Sequence, residues 1–333
     1  MAGPDLEPKP FRWEDGERVI RFGRGALAHV AEEVGVGYVL LTTPRGRERA
    51  PALVERAATV HDVPPGRVDE IAAGLRGSVA GDTLLAVGGG RVIDVAKALA
   101  AADPPRRVAA APTTLSAAEM TRGHRHAVGV DPATPRVRPH VVVNDPELSA
   151  SQPEPGLAAS ALNALAHAIE AALTVRTNPA ATLVAHGAIG QLSAGFGGPD
   201  PDRDRLALGA LLSGWASDVA GYGLHHVLSQ TLVRLTPIDH GPANAVMLPH
   251  TTEALRGRFP EGLAAMAQAV GEDPREVVER IGRRAGPRRL RDWDVEPEHL
   301  EACAKAAARR PDLELTPPRP DRAELLALYQ AAW

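Results

Sequence analysis

The chain of 333 residues has a single cysteine, Cys303, so no intrachain disulfide can form, and a reducing, cytoplasmic setting is expected. Lysine is almost as scarce. Lys9, Lys97 and Lys305 are the only three, and arginine carries nearly all the positive charge. Together with the abundance of alanine, glycine and proline, this reads as the mark of a GC-rich genome and not of a function. The formal charge of −4 lacks the basic field that a nucleic-acid surface needs. No stretch approaches the ~18 consecutive apolar residues of a membrane span. The polar, proline-containing segment Met1–Trp13 has no signal-peptide core, so none is expected. Internal repeats and low-complexity tracts are also missing. What is present is 44% hydrophobic residues, enough for two domains of ordinary size, each with its own core.

The first half alternates short apolar runs with helical patterns. Gly37–Thr43, Asp82–Val87, Arg107–Ala111 and His140–Asn144 read as strands, and Pro51–Val60 and Arg91–Ala101 as helices. Strands alternating with helices predict a parallel sheet covered on both faces. From Ser149 onward the pattern is helical. Ser160–Leu173, Ala180–Leu192, Arg205–Gly221, Leu224–Leu235 and Pro260–Gly271 are expected helices, and no strand stands out. Proline and polar residues cluster at Pro146–Pro155, which marks a boundary. The predicted architecture is an α/β nucleotide-binding domain, 1–150, followed by an all-helical domain, 151–333. The active site is expected in the cleft between them.

Gly88-Gly89-Gly90 joins an expected strand to an expected helix. Three glycines let backbone approach a bulky anion and adopt positive φ. The N–H groups that open the helix can hold a phosphate, aided by the helix dipole. Asp94, one turn on, can accept a hydrogen bond from the ligand or the loop. The same triplet also suits a tight turn that binds nothing. It is not a GxGxxG and does not follow the first strand, so an ordinary dinucleotide fingerprint does not fit.

Asn163 and His167 are four apart in a helical run, which puts them on one face. His225 and His226 are adjacent on a second expected helix, so only one of them can face the same way. His240 follows in a segment read as a loop. A helix pair plus a loop can gather His167, His226 and His240, leaving an open position for a carbonyl oxygen on a catalytic metal. Alternatively these are surface or hydrogen-bonded histidines, as most of the chain's 12 must be. Arg122, His124, Arg125 and His126 can hold a substrate carboxylate, or they form a solvated hairpin. Arg136 and Arg138 are similar but weaker candidates. Glu170 is expected to be a solvated or capping acid.

The string GGGRVIDVAK, Gly88–Lys97, resembles the GGGSxxDxAK motif of iron-containing alcohol dehydrogenases. APTTLSAAEMT, Ala111–Thr121, resembles their PTTxGTGSE loop. The resemblance runs from about Phe22 to Trp333 and is nearest to the maleylacetate reductase branch. It implies a nicotinamide cofactor, NAD or NADP, lined by Gly88, Gly89, Gly90, Asp94, Thr113, Thr114, Ser116 and Thr43. It implies a metal tetrad of Asn163, His167, His226 and His240 for Fe²⁺ or Zn²⁺, and a homodimer. His226 and His240 keep the family's His-x13-His-Gly spacing. Two positions depart from the pattern. Asn163 replaces a ligating Asp, which predicts a weak or absent metal. Gln230 replaces a second His and cannot titrate.

The implied activity is hydride transfer between the nicotinamide and the carbonyl or alcohol carbon of a small, acidic substrate, with His226, His240 and His167 acting on the oxygen. The turn Thr42–Arg47 has no acid to repel a 2′-phosphate, and Arg45 and Arg47 can attract one. Two other classes stay open. One is a non-redox enzyme on a dehydroquinate synthase-like fold, although that enzyme's lysine-rich site is missing. The other is a catalytically silent nucleotide-binding homologue.

Overall fold

The computed structural model describes residues 6–150 and 152–333, which form two compact units: 7–150, and 152–333 with Leu6. In the first, β1 (Phe11–Asp15) and β2 (Arg18–Phe22) form a hairpin. They are followed by α1 (Val30–Val34), β3 (Val39–Thr42), α2 (Pro44–Arg49), α3 (Pro51–Glu55), β4 (Thr59–Asp62) and α4 (Val68–Leu75). The unit continues with β5 (Thr83–Gly88), α5 (Gly90–Ala102), β6 (Arg107–Pro112) and β7 (Val141–Asn144). The strands make one sheet in the order β1-β2-β7-β6-β5-β3-β4. All neighbours are parallel except the β1–β2 hairpin.

The expected strands β3, β5, β6 and β7 are there because their residues alternate between two apolar layers. Leu41, Leu84, Ala86, Val108 and Ala110 pack on one face with Ile93 and Ala96 of α5. Leu40, Leu85, Val87, Ala109 and Val141 pack on the other with Val30 of α1 and Leu53 of α3. A strand buried on both faces shows as a continuous apolar run, and β3 and β7 are buried at every position.

One expectation fails in this unit, and one element was not anticipated. The helix predicted for Pro51–Val60 stops at Glu55, and Thr59–Asp62 is the edge strand β4. Pairing with β3 outweighs local helix propensity. Ala58 N–H donates to Tyr38 O, and Val63 N–H donates to Thr42 O. The hairpin β1–β2 had no sequence signal, because charged residues interrupt its apolar pattern. Arg18 takes an inward position of β2 beside Ile20 and Phe22, only 2% exposed. It donates to Met120 O and pairs with Asp15.

The second unit is helical: α6 (Glu154–Leu173), α7 (Pro179–Gly195), α8 (Arg203–Ala220), α9 (Leu224–Leu235), α10 (His240–Arg258), α11 (Pro260–Val270), α12 (Pro274–Gly282), α13 (Pro297–Ala307) and α14 (Arg322–Ala332). By length and mean hydropathy of 1.3, α6 passes for a membrane span. However, 78% of that window is buried inside the fold, so it is the central core helix. His240, expected in a loop, opens α10. The periodicity there was hidden because the buried face includes Asn244, Thr251 and Thr252 as well as Val246, Met247 and Leu248.

The loop after β6 is fastened from below by Lys97 of α5, which is fully buried. Its Nζ donates to Ala118 O (2.9 Å), Thr121 O (3.0 Å) and Gly123 O (2.7 Å) and lies 2.8 Å from Asp94 Oδ1. Lys97→Met strands three carbonyls and one carboxylate. It should cost about 3 kcal/mol, the scale of breaking a largely buried ion pair, and make residues 118–123 sensitive to protease. A melting temperature equal to wild type would refute the clamp.

Candidate functional site

The structure gives the glycine triplet a different reason from the expected positive φ. None of Gly88, Gly89 and Gly90 lies in the left-handed region, and Gly89 has φ −75°. Proximity is what demands glycine here. A Cβ on Gly88 would lie 2.6 Å from Val92 Cγ2, one on Gly89 3.2 Å from the Thr114 side chain, and one on Gly90 3.0 Å from the Ser116 side chain. Thr113 N–H donates to Gly88 O at 3.0 Å. Strand end, helix start and the Thr113–Ser116 segment thus form one close-packed cradle at the start of α5, which has no side-chain cap and no acid in its first turn. A side chain at Gly89 would meet Thr114 before it met any ligand. Ala117 follows at φ 60°, a conformation costly for a residue with a Cβ. Asp94 faces Lys97 of its own helix rather than the loop. Thr43 uses its hydroxyl to cap α2, accepting from Gly46 N–H at 3.1 Å.

Of the two arginines expected near a 2′-phosphate, Arg47 is paired with Asp62 at 2.7 Å. Arg45, with Arg49, Glu48 and Asp145, lines a groove of about 540 Å³ in the same unit. The four substrate candidates also separate. His124 is a latch within its loop: Nδ1–H donates to Arg125 O and Nε2 accepts Val137 N–H, and burial pushes its pKa down to about 4. Arg125 lies 3.5 Å from Asp69. His126 packs edge-on against His124. Arg122 is exposed.

In the helical unit the histidines do gather, around Glu170. Of the two roles expected for it, solvated or capping, the structure shows the second: it is fully buried at the start of α9. It accepts His225 N–H at 2.7 Å, His226 N–H at 3.3 Å and His226 Nδ1–H at 2.6 Å. Burial pushes the Glu170 carboxyl above its usual pKa, while nearby His225 and the backbone N–H groups of His225 and His226 draw it back toward the ionised form. With Glu170 ionised, Nδ1 carries the proton and Nε2 keeps a lone pair. That Nε2 is buried with no hydrogen-bond partner. Burial and nearby His240 push His226 down to about 3, so the ring is neutral. The i, i+3 and i, i+4 spacings of Asn163, His167 and Glu170 place them on one side of α6. That spacing is the signal that could have implicated Glu170.

His167 stacks on His226, ring centroids 3.9 Å apart and planes inclined by 26°. Its Nδ1 contacts Ser217 Oγ of α8 at 3.1 Å. Tyr222, which the sequence did not single out, lies 5.2 Å from the His226 ring. His225 points the other way, its Nε2 at 2.9 Å from Asn244 Oδ1 and its Nδ1 at 2.8 Å from Thr251 Oγ1. Asn244 Nδ2 in turn donates to His240 O. His225 is therefore a fully buried tie between α9 and α10. Gln230, one turn after His226, accepts a hydrogen bond from Arg310 Nη2 at 3.2 Å.

This arrangement does not fit the expected metal tetrad. A ligating imidazole holds its ion in the ring plane, about 2 Å from the nitrogen. Two rings in face-to-face contact share no such point within reach. Among the described residues no group of three or more His, Cys, Asp or Glu side chains is placed to hold a metal ion.

Residues 157–333 match the model for the C-terminal domain of the Fe-containing alcohol dehydrogenase family. The chain is 32% identical to maleylacetate reductase 1 of Rhodococcus opacus, over 95% of this chain and 94% of that protein. The solved maleylacetate reductase of Rhizobium sp. strain MTP-10005 superposes with a TM-score of 0.79 at 30% identity, covering 98% of both chains. A putative alcohol dehydrogenase from Ralstonia eutropha JMP134 superposes at 0.82 with 29% identity and 97% coverage of both. The chain belongs to the Fe-containing alcohol dehydrogenase family of oxidoreductases and is similar to its maleylacetate reductases.

Proposed function

We propose that the protein is an NAD(P)-dependent reductase of a small acidic carbonyl compound, with the α/β unit holding the dinucleotide and the helical unit's histidines acting on the substrate oxygen. The observation that carries the reading is the Glu170–His226 hydrogen bond. A neutral imidazole oriented by a buried carboxylate, with its second nitrogen bare, is a general base. In the oxidative direction His226 Nε2 would take the hydroxyl proton, and a bound nicotinamide would supply the hydride acceptor. In reduction the imidazolium returns the proton, stabilised by Glu170. His167, stacked against the ring, holds its plane, and His240 enters from the first turn of α10. The dinucleotide's pyrophosphate is assigned to the N–H groups that open α5, beside Thr114 and Ser116. The reading keeps a cytoplasmic location and a homodimer.

The metal belongs to the same proposal. The family's description names iron, and nothing in the donor set favours zinc. With an amide at Asn163 and stacked rings at His167 and His226, any ion should be weakly held. Elemental analysis of the purified protein is expected to find well under one ion per chain after mild chelation. One chelator-resistant ion per chain would contradict this.

Cofactor choice follows from the turn after β3. It carries no acid to repel a 2′-phosphate, and Arg45 lines the groove beside it. NADPH should serve at least as well as NADH, and a tenfold preference for NADH in steady-state kinetics would count against the assignment. For the chemistry, His226→Ala should lower turnover by roughly 10²-fold or more, the scale of losing a catalytic base. Glu170→Gln should lower it by about tenfold by releasing the tautomer. Nucleotide affinity, measured by fluorescence titration, should change little in both. Wild-type turnover in His226→Ala would remove the histidine from the mechanism.

A further inference from the structure

Gln230 stands one turn beyond His226 on α9, on the same side of the helix. What it touches is a guanidinium. Arg310 Nη2 donates to Gln230 Oε1 at 3.2 Å. Nε and Nη2 both donate to a single oxygen of Asp312, at 3.1 Å and 2.9 Å. That accounts for the Nε proton and both Nη2 protons. Nη1 is left buried with no partner. Arg310 is 18% exposed, so this is no solvated surface arginine with water to satisfy it. Two buried polar atoms thus remain unmatched around α9: the lone pair of His226 Nε2 and the donor Arg310 Nη1. They are opposite in kind, one an acceptor for a hydroxyl proton and the other a cationic donor.

Building on the reading above, we propose that Arg310 binds the substrate's carboxylate and sets the preference for acidic over neutral substrates. A carboxylate at Nη1 that displaces the long Gln230 contact gains the two-pronged Nη1/Nη2 edge suited to it. Asp312, on the Nε side, fixes the plane of the fork without occupying that edge. The ligand class is a short-chain oxo- or hydroxy-carboxylate whose reacting oxygen and carboxylate are separated by about one helical turn, roughly 5 Å.

The test pairs two substrates that differ only in the carboxylate, 4-oxobutanoate and butanal, with glutarate as an unreactive binding probe. In Arg310→Gln the KM for 4-oxobutanoate should rise at least tenfold more than the KM for butanal. Glutarate affinity measured by calorimetry should fall at least tenfold. A structural role alone would shift both substrates together and leave that ratio unmoved, which would overturn the proposal, as would equal glutarate binding or none by wild type. If Arg310→Gln does not fold, Arg310→Lys carries the test. It keeps the charge and loses the fork, and glutarate should weaken at least threefold; unchanged affinity overturns the assignment. Glutarate binding does not depend on turnover. A wild-type protein that binds glutarate through Arg310 but reduces neither substrate would therefore refute the oxidoreductase mechanism and leave the anchor standing.

Discussion

The helical unit depends on where one carboxylate is placed. Helix α9 begins at Gly223, which has no side chain to cap it, so its first N–H groups need an acceptor from elsewhere. Glu170 of α6 supplies it, taking the N–H groups of His225 and His226. A buried carboxylate is tolerated only where donors saturate it, and the third donor is the His226 ring. One contact therefore starts a helix, joins it to the core helix, and decides which nitrogen of His226 keeps a lone pair. Once His226 is turned toward Glu170, its neighbour on the helix must face elsewhere. His225 reaches α10 and, through Asn244, the carbonyl of His240.

The α/β unit solves a similar problem with the opposite charge. The ammonium of Lys97 is buried beneath the loop after β6 and is satisfied by three carbonyls and Asp94. The loop's backbone is thereby held against the glycines that begin α5. At this turn glycine is required because neighbours are close: each missing Cβ corresponds to an atom of Val92, Thr114 or Ser116 already in place. The strain is carried one step further on, at Ala117.

The departures from the family pattern look less like decay when their surroundings are considered. Asn163 removes a negative charge from a site whose rings are stacked and neutral, so the amide matches imidazoles acting as bases better than it matches a cation. Gln230 loses a proton-carrying group and gains contact with a guanidinium. Under the proposed function, both changes favour direct proton exchange and carboxylate recognition over metal-centred polarisation.

Local pattern was enough for the sheet strands β3, β5, β6 and β7 and for helices α6 to α9, because each is a long or continuous run rich in apolar residues that the fold buries. The glycine string and the pair His226 and His240 were equally readable, since spacing along the chain carries them. Tertiary contact decided the rest. Pairing with β3 turned the end of an expected helix into β4. Burial gave Arg18 an inward place that no hydropathy pattern predicts, and polar residues on the buried side of α10 concealed that helix. Above all, the sequence named the histidines but not their protons. The tautomer of His226, the stacking of His167 and the unmatched nitrogen of Arg310 depend on partners 50 or more positions away, and only folding brings such distant donors and acceptors within hydrogen-bond range.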